Sequence, residues 1–427
     1  MRFQFKALAL ALVLAGPAAP AAAQTSAGPA PLTLAEALRL AETGSPAVRA
    51  REAQLAAAEG SRREATSLFF NNPELSVERT RRRAATPDGN AREWGLGIAQ
   101  PIEIGGQQAR RREAASASLD ALRAEIEDAR RQARADAAVR FNAVLAAQRR
   151  VRLEQRSVEL FDSSAQAVAR RRSAGEDTRL DANVALIEAE RARNALAVSQ
   201  EHLLDAKAEL ATALQLSPSA VPEVVGELAV PAGAPLPYGL DQLLASAQSL
   251  PKQRALAARQ DAARARVGLE RASRYPDLTL GLNVGREGPS SGRERVTTLT
   301  LSVPLPLFKR NDAAIGQATS EATQAEIERA AATRDGQAQV RRLWSRLESQ
   351  RERVVRLQRA MLAASADNQQ LAAKSRLAGQ IGLLDQLIIN RQALDAERDL
   401  NDALAEYHAT RIELEHAAGW SQEGQAK

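Results

Sequence analysis

Four segments of the 427-residue chain alternate apolar and small or polar residues one by one. In the first, about 73–83, Leu75 and Val77 stand opposite Ser76 and Glu78. In the second, about 92–102, Trp94, Leu96 and Ile98 oppose Gly95, Gly97 and Ala99. The third, about 276–286, sets Leu278, Leu280, Leu282 and Val284 against Thr279, Gly281, Asn283 and Gly285. In the fourth, about 294–304, Thr297, Leu299, Leu301 and Val303 oppose Thr298, Thr300 and Ser302. A period of two is the period of a strand. Pro87-Asp88-Gly89 and Gly288-Pro289-Ser290-Ser291-Gly292 are turn sequences that join the strands into two hairpins. Strands of about ten residues are long enough for tilted crossing of a bilayer, with the apolar face to lipid and the other to water. Four strands cannot close a barrel, which takes about eight. The pattern leaves two options: soluble hairpins packed on helices in a monomer, or a barrel shared by several chains.

The rest of the pattern is helical. Thr33-Leu34-Ala35-Glu36 has capping-box spacing and opens a short helix to about residue 42. After Gly44-Ser45-Pro46 a second helix is predicted over about 47–68. Each hairpin is followed by a Pro-free helix, about 107–173 and 312–375, roughly 100 Å long at about 1.5 Å per residue. Val144, Val151, Val158 and Ala165 recur every seven residues beside Ala147, Phe161 and Val168. In the second long helix Val340, Leu347, Val354 and Met361 do so beside Leu343, Leu357 and Leu371. That spacing predicts knobs-into-holes packing. Gly175 and Gly379 end these helices, and returning helices carry the stripes Ala182, Ala189, Leu196, Leu203, Leu210 and Gln386, Ala393, Leu400, Tyr407, Leu414. The returning helices are shorter, about 57 Å. The helix before each hairpin can supply the missing rise by stacking end to end.

This order occurs twice, at a shift of roughly 203 to 205 residues. Asn72-Pro73-Glu74-Leu75 corresponds to Tyr275-Pro276-Asp277-Leu278, Gln100-Pro101-Ile102 to Val303-Pro304-Leu305, and Leu180-Asp181 to Leu384-Asp385. Proline positions do not follow from helical composition, so the matches point to duplication of one unit. The expected organisation is a signal peptide over 1–23, a first repeat over 24–217, a Pro-rich connector over 218–237, a second repeat over 238–420 and a polar tail over 421–427.

Composition narrows the choice. Arg2 and Lys6 precede the apolar run 7–15, then Pro17 and an Ala-rich stretch with predicted cleavage after Ala23, the order of a secretory signal. A mean hydropathy of -0.33 excludes a multi-helix membrane protein, so any membrane crossing of the mature chain falls to strands. The absence of Cys excludes disulfides, thiolate metal sites, Cys nucleophiles and a lipid-bearing Cys. The 58 Lys and Arg residues are nearly balanced by 52 Asp and Glu, leaving a net charge of +6, and no aromatic platform accompanies the basic cluster Arg79, Arg81, Arg82 and Arg83, which argues against nucleic acid. Arg79 and Arg81 share parity with Leu75 and Val77, so they face lipid phosphates above an apolar band or form a solvated loop. His416 with Glu413 has metal-ligand spacing, but a solvated helix face explains it as well. Gly105-Gly106 lacks phosphate-loop spacing, and no nucleophile–base constellation is present. A protein that is not an enzyme and carries no cofactor is expected.

The strings Asn71-Asn72-Pro73-Glu74-Leu75, Gln100-Pro101-Ile102-Glu103-Ile104-Gly105-Gly106-Gln107 and Leu305-Pro306-Leu307-Phe308-Lys309-Arg310-Asn311, with the duplication, resemble the TolC-type outer-membrane factor family. Within it they look most like the CzcC-like heavy-metal efflux branch. The resemblance covers nearly all of the mature chain. It implies a mainly α fold with a transmembrane β part: a homotrimer whose twelve-stranded outer-membrane barrel continues as an α-helical tunnel through the periplasm. It implies a passive duct for metal cations working with a periplasmic adaptor and an inner-membrane resistance-nodulation-division pump. The tips Arg172, Ser173, Ala174 and Gly175, and Arg376, Leu377, Ala378 and Gly379, would meet the adaptor. Asp181 and Asp385 match the place of an acidic ring at the periplasmic mouth, although an Asp in a first helical turn also simply favours the helix dipole. The latch that holds the mouth shut is only partly matched, with Arg376 and Ile381 near its place. Drug efflux, a type I secretion duct and a soluble periplasmic coiled-coil scaffold are the competing expectations.

Overall fold

The computed structural model describes residues 31–83, 90–217, 221–229, 236–289 and 292–420. The signal peptide, part of the connector, the Pro87-Asp88-Gly89 turn and the polar tail lie outside the described residues. The order of elements is α1 (Leu34–Gly44), α2 (Pro46–Ala53), α3 (Leu55–Ala65), β1 (Glu74–Arg82), β2 (Ala91–Ile102), α4 (Gln107–Ser173) and α5 (Arg179–Leu214). Then come α6 (Leu240–Gln248), α7 (Pro251–Ala272), β3 (Leu278–Glu287), β4 (Glu294–Ser302), α8 (Asp312–Arg356), a π-helical turn (Leu357–Met361), α9 (Leu362–Leu377) and α10 (Leu383–Ala418). The fold is mainly helical, with one four-stranded sheet. Among the described residues no helix is long and apolar enough to cross a membrane.

The 67-residue helix α4 is the spine. The first half of α4 is flanked by α1 to α3, through Arg134 to Glu42 at 3.8 Å and Arg130 to Glu52 at 2.6 Å. Arg112 Nε donates to Ala65 O at 3.2 Å near the sheet. Helix α5 lies along the other half of α4, where Arg193 reaches Asp162 at 2.8 Å. The C-terminal ends of α1 and α5 meet at Gly44, whose missing Cβ would contact Leu214 O at 3.5 Å. The stacking that makes up the missing length is therefore present. Its helix is not the single one expected over 47–68, because α2 stops at Ala53 and α3 starts at Leu55. At the joint, the Gln54 N–H turns back to Arg51 O at 3.0 Å, one tight turn that bends the path around α4.

Three apolar clusters hold the helices. Phe141, Val144, Leu145, Leu210 and Leu214 pack with Leu32 and Ala37 in the first copy. Val340, Leu343, Leu347, Leu404 and Leu414 do so in the second, capped by Tyr238, whose ring stands 5.3 Å from Trp420 and 6.3 Å from Trp344. The third joins the copies, with Phe161, Val168 and Ala189 against Leu383, Leu387 and Leu394. Connector residues Val224 and Leu228 are buried against α4, and Leu32 N donates to Glu223 O at 2.8 Å.

The seven-residue stripe of the second long helix is interrupted. Val340, Leu347 and Val354 are buried, yet Met361 is 39% and Leu371 51% exposed. The cause is the π turn at Leu357–Met361. One extra residue in that turn advances the inward face by one position, so Leu362 packs on the core and Ala372 is buried instead.

Candidate functional site

The strands pair in the order β1-β2-β3-β4, all antiparallel, so the hairpins from the two copies join through β2 and β3. The register aligns the apolar residues across every strand. One row is Leu75, Ile98, Leu282, Leu299; the next is Val77, Leu96, Val284, Thr297. These side chains are open to the surroundings: Leu75 is 71%, Val77 75%, Ile98 50% and Leu299 71% exposed. The opposite face carries Ser76, Gly97, Asn283 and Thr298 in one row and Glu78, Gly95, Gly285 and Val296 in the next. It is crowded, since a Cβ on Gly97 would fall 1.8 Å from Asn283 Oδ1 and 2.5 Å from Ser76 Oγ. The sheet is thus apolar on its open side and polar on its crowded side. Strands β1 and β4 are the edges, with no further strand paired to either among the described residues.

Charge is sorted by face as well. Every carboxylate of the four strands, namely Glu74, Glu78, Glu93, Glu287 and Glu294, stands on the crowded polar face. Glu93 is buried there, holding Arg82 at 3.3 Å and accepting from Gly288 N at 3.2 Å. Sequence reading identified the alternation but passed over this acidic set, although the parity of each Glu was available.

Where the sheet meets the helices, side chains tie the copies together. Gln107 is buried, accepts from Gly105 N at 2.6 Å and donates to Tyr275 O at 2.8 Å. Gly105 leaves room for Tyr275, whose Cβ would lie 2.5 Å from a Cβ there. Gln100 donates to Asn71 O at 2.8 Å, and Asn71 donates to Asp277 at 3.0 Å. Arg111 pairs with Glu103 at 2.5 Å and lies 3.6 Å over the Phe70 ring. Asn311, at φ 59, donates to Glu270 O at 2.9 Å. The sequence strings that carried the family resemblance are thus the seam between sheet and helices.

At the far end of α4 and α9 both helical hairpins turn on a glycine. Gly175 at φ 82 and Gly379 at φ 66 follow Ala174 and Ala378. Glu176 N donates back to Arg171 O and Gln380 N to Ser375 O, each at 2.9 Å, while Gly175 N donates to Arg172 O at 3.0 Å and Gly379 N to Arg376 O at 3.1 Å, so each end carries the two bonds of a Schellman motif. Arg172, Ser173, Leu377 and Gly379 are exposed, Leu377 by 90%. Arg376 is not: it points into the tip, 3.4 Å from Asp177 Oδ1, and donates to Ile381 O at 3.4 Å. Asp177 Oδ2 is 3.2 Å from Arg171 Nε but has no aligned donor, so charge alone holds that side. Asp177 was missed in the sequence. Its mark is an asymmetry, since the second copy has Ile381 in its place.

Asp181 and Asp385 open the returning helices. Asp181 accepts from Thr178 Oγ1 at 2.7 Å and Thr178 N at 3.0 Å, while its own N–H donates to Thr178 at 3.1 Å. These bonds from Thr178 hold its carboxyl below the usual range. Asp385 accepts from Gly382 N at 3.1 Å. Each carboxylate spends one oxygen, Oδ2, on its helix start and keeps Oδ1 for solvent or ions.

The pair of His416 and Glu413 is not a joint site. His416 Nδ1 stands 3.2 Å from Arg131, while Glu413 is exposed. Among the described residues no group of three His, Asp or Glu could hold a metal ion.

The outer membrane efflux protein family matches residues 37–215 and 240–420, one match for each copy. The chain belongs to this family. Its members are channels and not enzymes, and membership favours the outer-membrane reading over a soluble scaffold. The chain is 31% identical over 300 residues to the cobalt-zinc-cadmium resistance protein CzcC of Cupriavidus metallidurans, covering 70% of this chain and 68% of that protein. The fold is similar to the outer-membrane channel OprN, with a TM-score of 0.75 at 21% identity over 91% of this chain and 90% of the other. It is also similar to CusC, with a TM-score of 0.74 at 18% identity over 91% and 92%.

Proposed function

We propose that three copies of the chain close their sheets edge to edge, β1 of one on β4 of the next, into a twelve-stranded barrel in the outer membrane. Their helices continue it as a tunnel through the periplasm. The alignment of apolar side chains across all four strands, with both edges open, is the observation that carries this reading. The duct is passive in this reading, in keeping with the lack of phosphate-loop spacing at Gly105-Gly106. An inner-membrane resistance-nodulation-division pump supplies the work, and a periplasmic adaptor grips the tips at Arg172, Ser173, Ala174 and Gly175 and at Arg376, Leu377, Ala378 and Gly379.

The exported species is a heavy-metal cation. The similarity to CzcC over most of the chain supports this, as does the acidic inner face of the sheet. Glu74, Glu78, Glu287 and Glu294 attract cations toward the exit without a site tight enough to retain them. Asp181 and Asp385, two per chain, would ring the periplasmic mouth with six carboxylates. Their helix-capping bonds fix them in place, and the remaining oxygens face the passage. The Arg376–Asp177 pair keeps the two hairpin tips of one chain together until the adaptor engages.

Deletion of the gene followed by challenge with zinc, cobalt, cadmium, nickel, copper and several drugs tests the substrate. Loss of metal tolerance is expected. Unchanged metal tolerance with new drug sensitivity, or a secretion defect, would overturn the assignment. Purification tests the barrel: a trimer that needs detergent and conducts ions is expected, and a monomer stable in plain buffer would refute it.

A further inference from the structure

The outward face of the sheet changes character toward its hairpin tips. Beyond the row Val77, Leu96, Val284, Thr297 comes the row Arg79, Trp94, Arg286, Arg295, and beyond that Arg81 beside Arg92. Each row is two residues further along the strands, about 7 Å. Arg79, Arg81, Arg92, Arg286 and Arg295 are all exposed, and none forms an ion pair with a described carboxylate, in contrast to Arg82 on the inner face. No strand carboxylate lies on their side of the sheet, so no acidic side chain of the strands neutralises them. Trp94, 49% exposed, stands among them, as aromatic side chains do at the boundary between hydrocarbon and headgroups.

We propose that this rim binds the phosphate groups of phosphorylated glycolipid in the outer leaflet. The inference rests on the barrel reading above, which puts the hairpin tips at the outer surface. Five guanidiniums per chain sit one to two rows above the apolar band, where headgroup phosphates lie. Each is a planar fork that takes two phosphate oxygens. The apolar rows hold the acyl chains of the same lipid, so chains and headgroup are recognised together. Free phosphate lacks the second contact and is not retained.

The test uses the purified full-length trimer in detergent and native mass spectrometry of lipid adducts. The probes are bisphosphorylated lipid A, dephosphorylated lipid A and inorganic phosphate. Wild type should retain bisphosphorylated lipid A at least about tenfold better than the dephosphorylated form, with no displacement by equimolar inorganic phosphate. The combined variant R79Q/R81Q/R92Q/R286Q/R295Q should lose about tenfold in retention of the phosphorylated lipid alone. Replacing the same five by Lys should keep most of it, and R82Q should change nothing. Equal retention of both lipids by wild type, or undiminished retention by the Gln variant, overturns the proposal. Effective competition by inorganic phosphate overturns the lipid source. If the Gln variant does not assemble, the comparison of the two lipids on wild type decides. A chain that forms no conducting trimer refutes the barrel reading, whereas a conducting trimer blind to lipid phosphate refutes only the rim.

Discussion

Asp177→Asn is the substitution most telling about how the two hairpin tips are held together. The side chain is nearly isosteric but gives up the charge that sits between Arg376 and Arg171. Asp177 is 7% and Arg376 19% exposed at the side chain, so their attraction is shielded from solvent. Their separation of 3.4 Å is long for a charge-assisted bond, which places it near the lower end of its range, about 1.5 kcal/mol. Arg171 is 45% exposed, and that contact contributes at most a few tenths, or about 0.5 kcal/mol. The sum, about 2 kcal/mol, corresponds to about a thirtyfold shift toward separated tips. Planar-bilayer recording of the purified trimer reads this as open probability or mean conductance. Glu176→Gln is the control, because Glu176 touches only the exposed edge of Arg171, at 3.5 Å. A folded D177N trimer that conducts like wild type, or an E176Q trimer that opens as readily, would refute the reasoning.

Removal of the Glu154 carboxylate should be the most destabilising single polar change. Glu154 is buried on α4 and holds Arg150 at 2.7 Å and Arg398 of α10 at 2.5 Å. Burial pushes its carboxyl up, but the two arginines outweigh that and keep it below the usual range. Glu154→Ala takes two bonds from Arg398 and leaves it Asp395 alone, at 2.8 Å, so thermal unfolding in detergent should show a loss of about 1.5 to 3 kcal/mol. Stability should also fall on acidification. Burial depresses His408 and His416 to about 4, so the folded chain excludes protons that the unfolded chain takes up below about 6.5. The contribution is complete above about pH 6.5 and lost as pH falls toward 4, by up to roughly 3 kcal/mol per imidazole. A double Gln variant should flatten that limb of a pH-stability curve. Leu347→Ala, at a fully buried position of α8, should cost about 2 to 5 kcal/mol in the same unfolding assay. Gly379→Ala puts a Cβ on a backbone at φ 66 and should cost about 1 kcal/mol.

The sheet was largely legible in the sequence because strand parity is a strict code. Leu75, Leu96, Leu282 and Leu299 all landed on the face their alternation assigned. The helical ends were legible for a similar reason, since Gly175 and Gly379 supply a backbone conformation that other residues resist. The π turn was not legible. Leu357, Gln358, Arg359, Ala360 and Met361 have ordinary helical propensity, and the extra residue is accommodated by packing against distant helices. The tip pair was hidden for another reason. Asp177 and Arg376 are far apart along the chain, and only the side-by-side arrangement of two helical hairpins brings them together. Asp181 showed the limit of family likeness, which says nothing of the bonds with Thr178 by which this residue caps its helix.

The two unpaired sheet margins also bear on genetics. In the proposed trimer a subunit with one spoiled margin would not fail alone, because each neighbour would rely on it to finish its own hydrogen-bond ladder. Such an allele, expressed beside the intact gene, should sequester healthy subunits in rings that never seal. A lesion at β1 or β4 should therefore behave as a dominant trait, while a truncation that is degraded before export should be recessive.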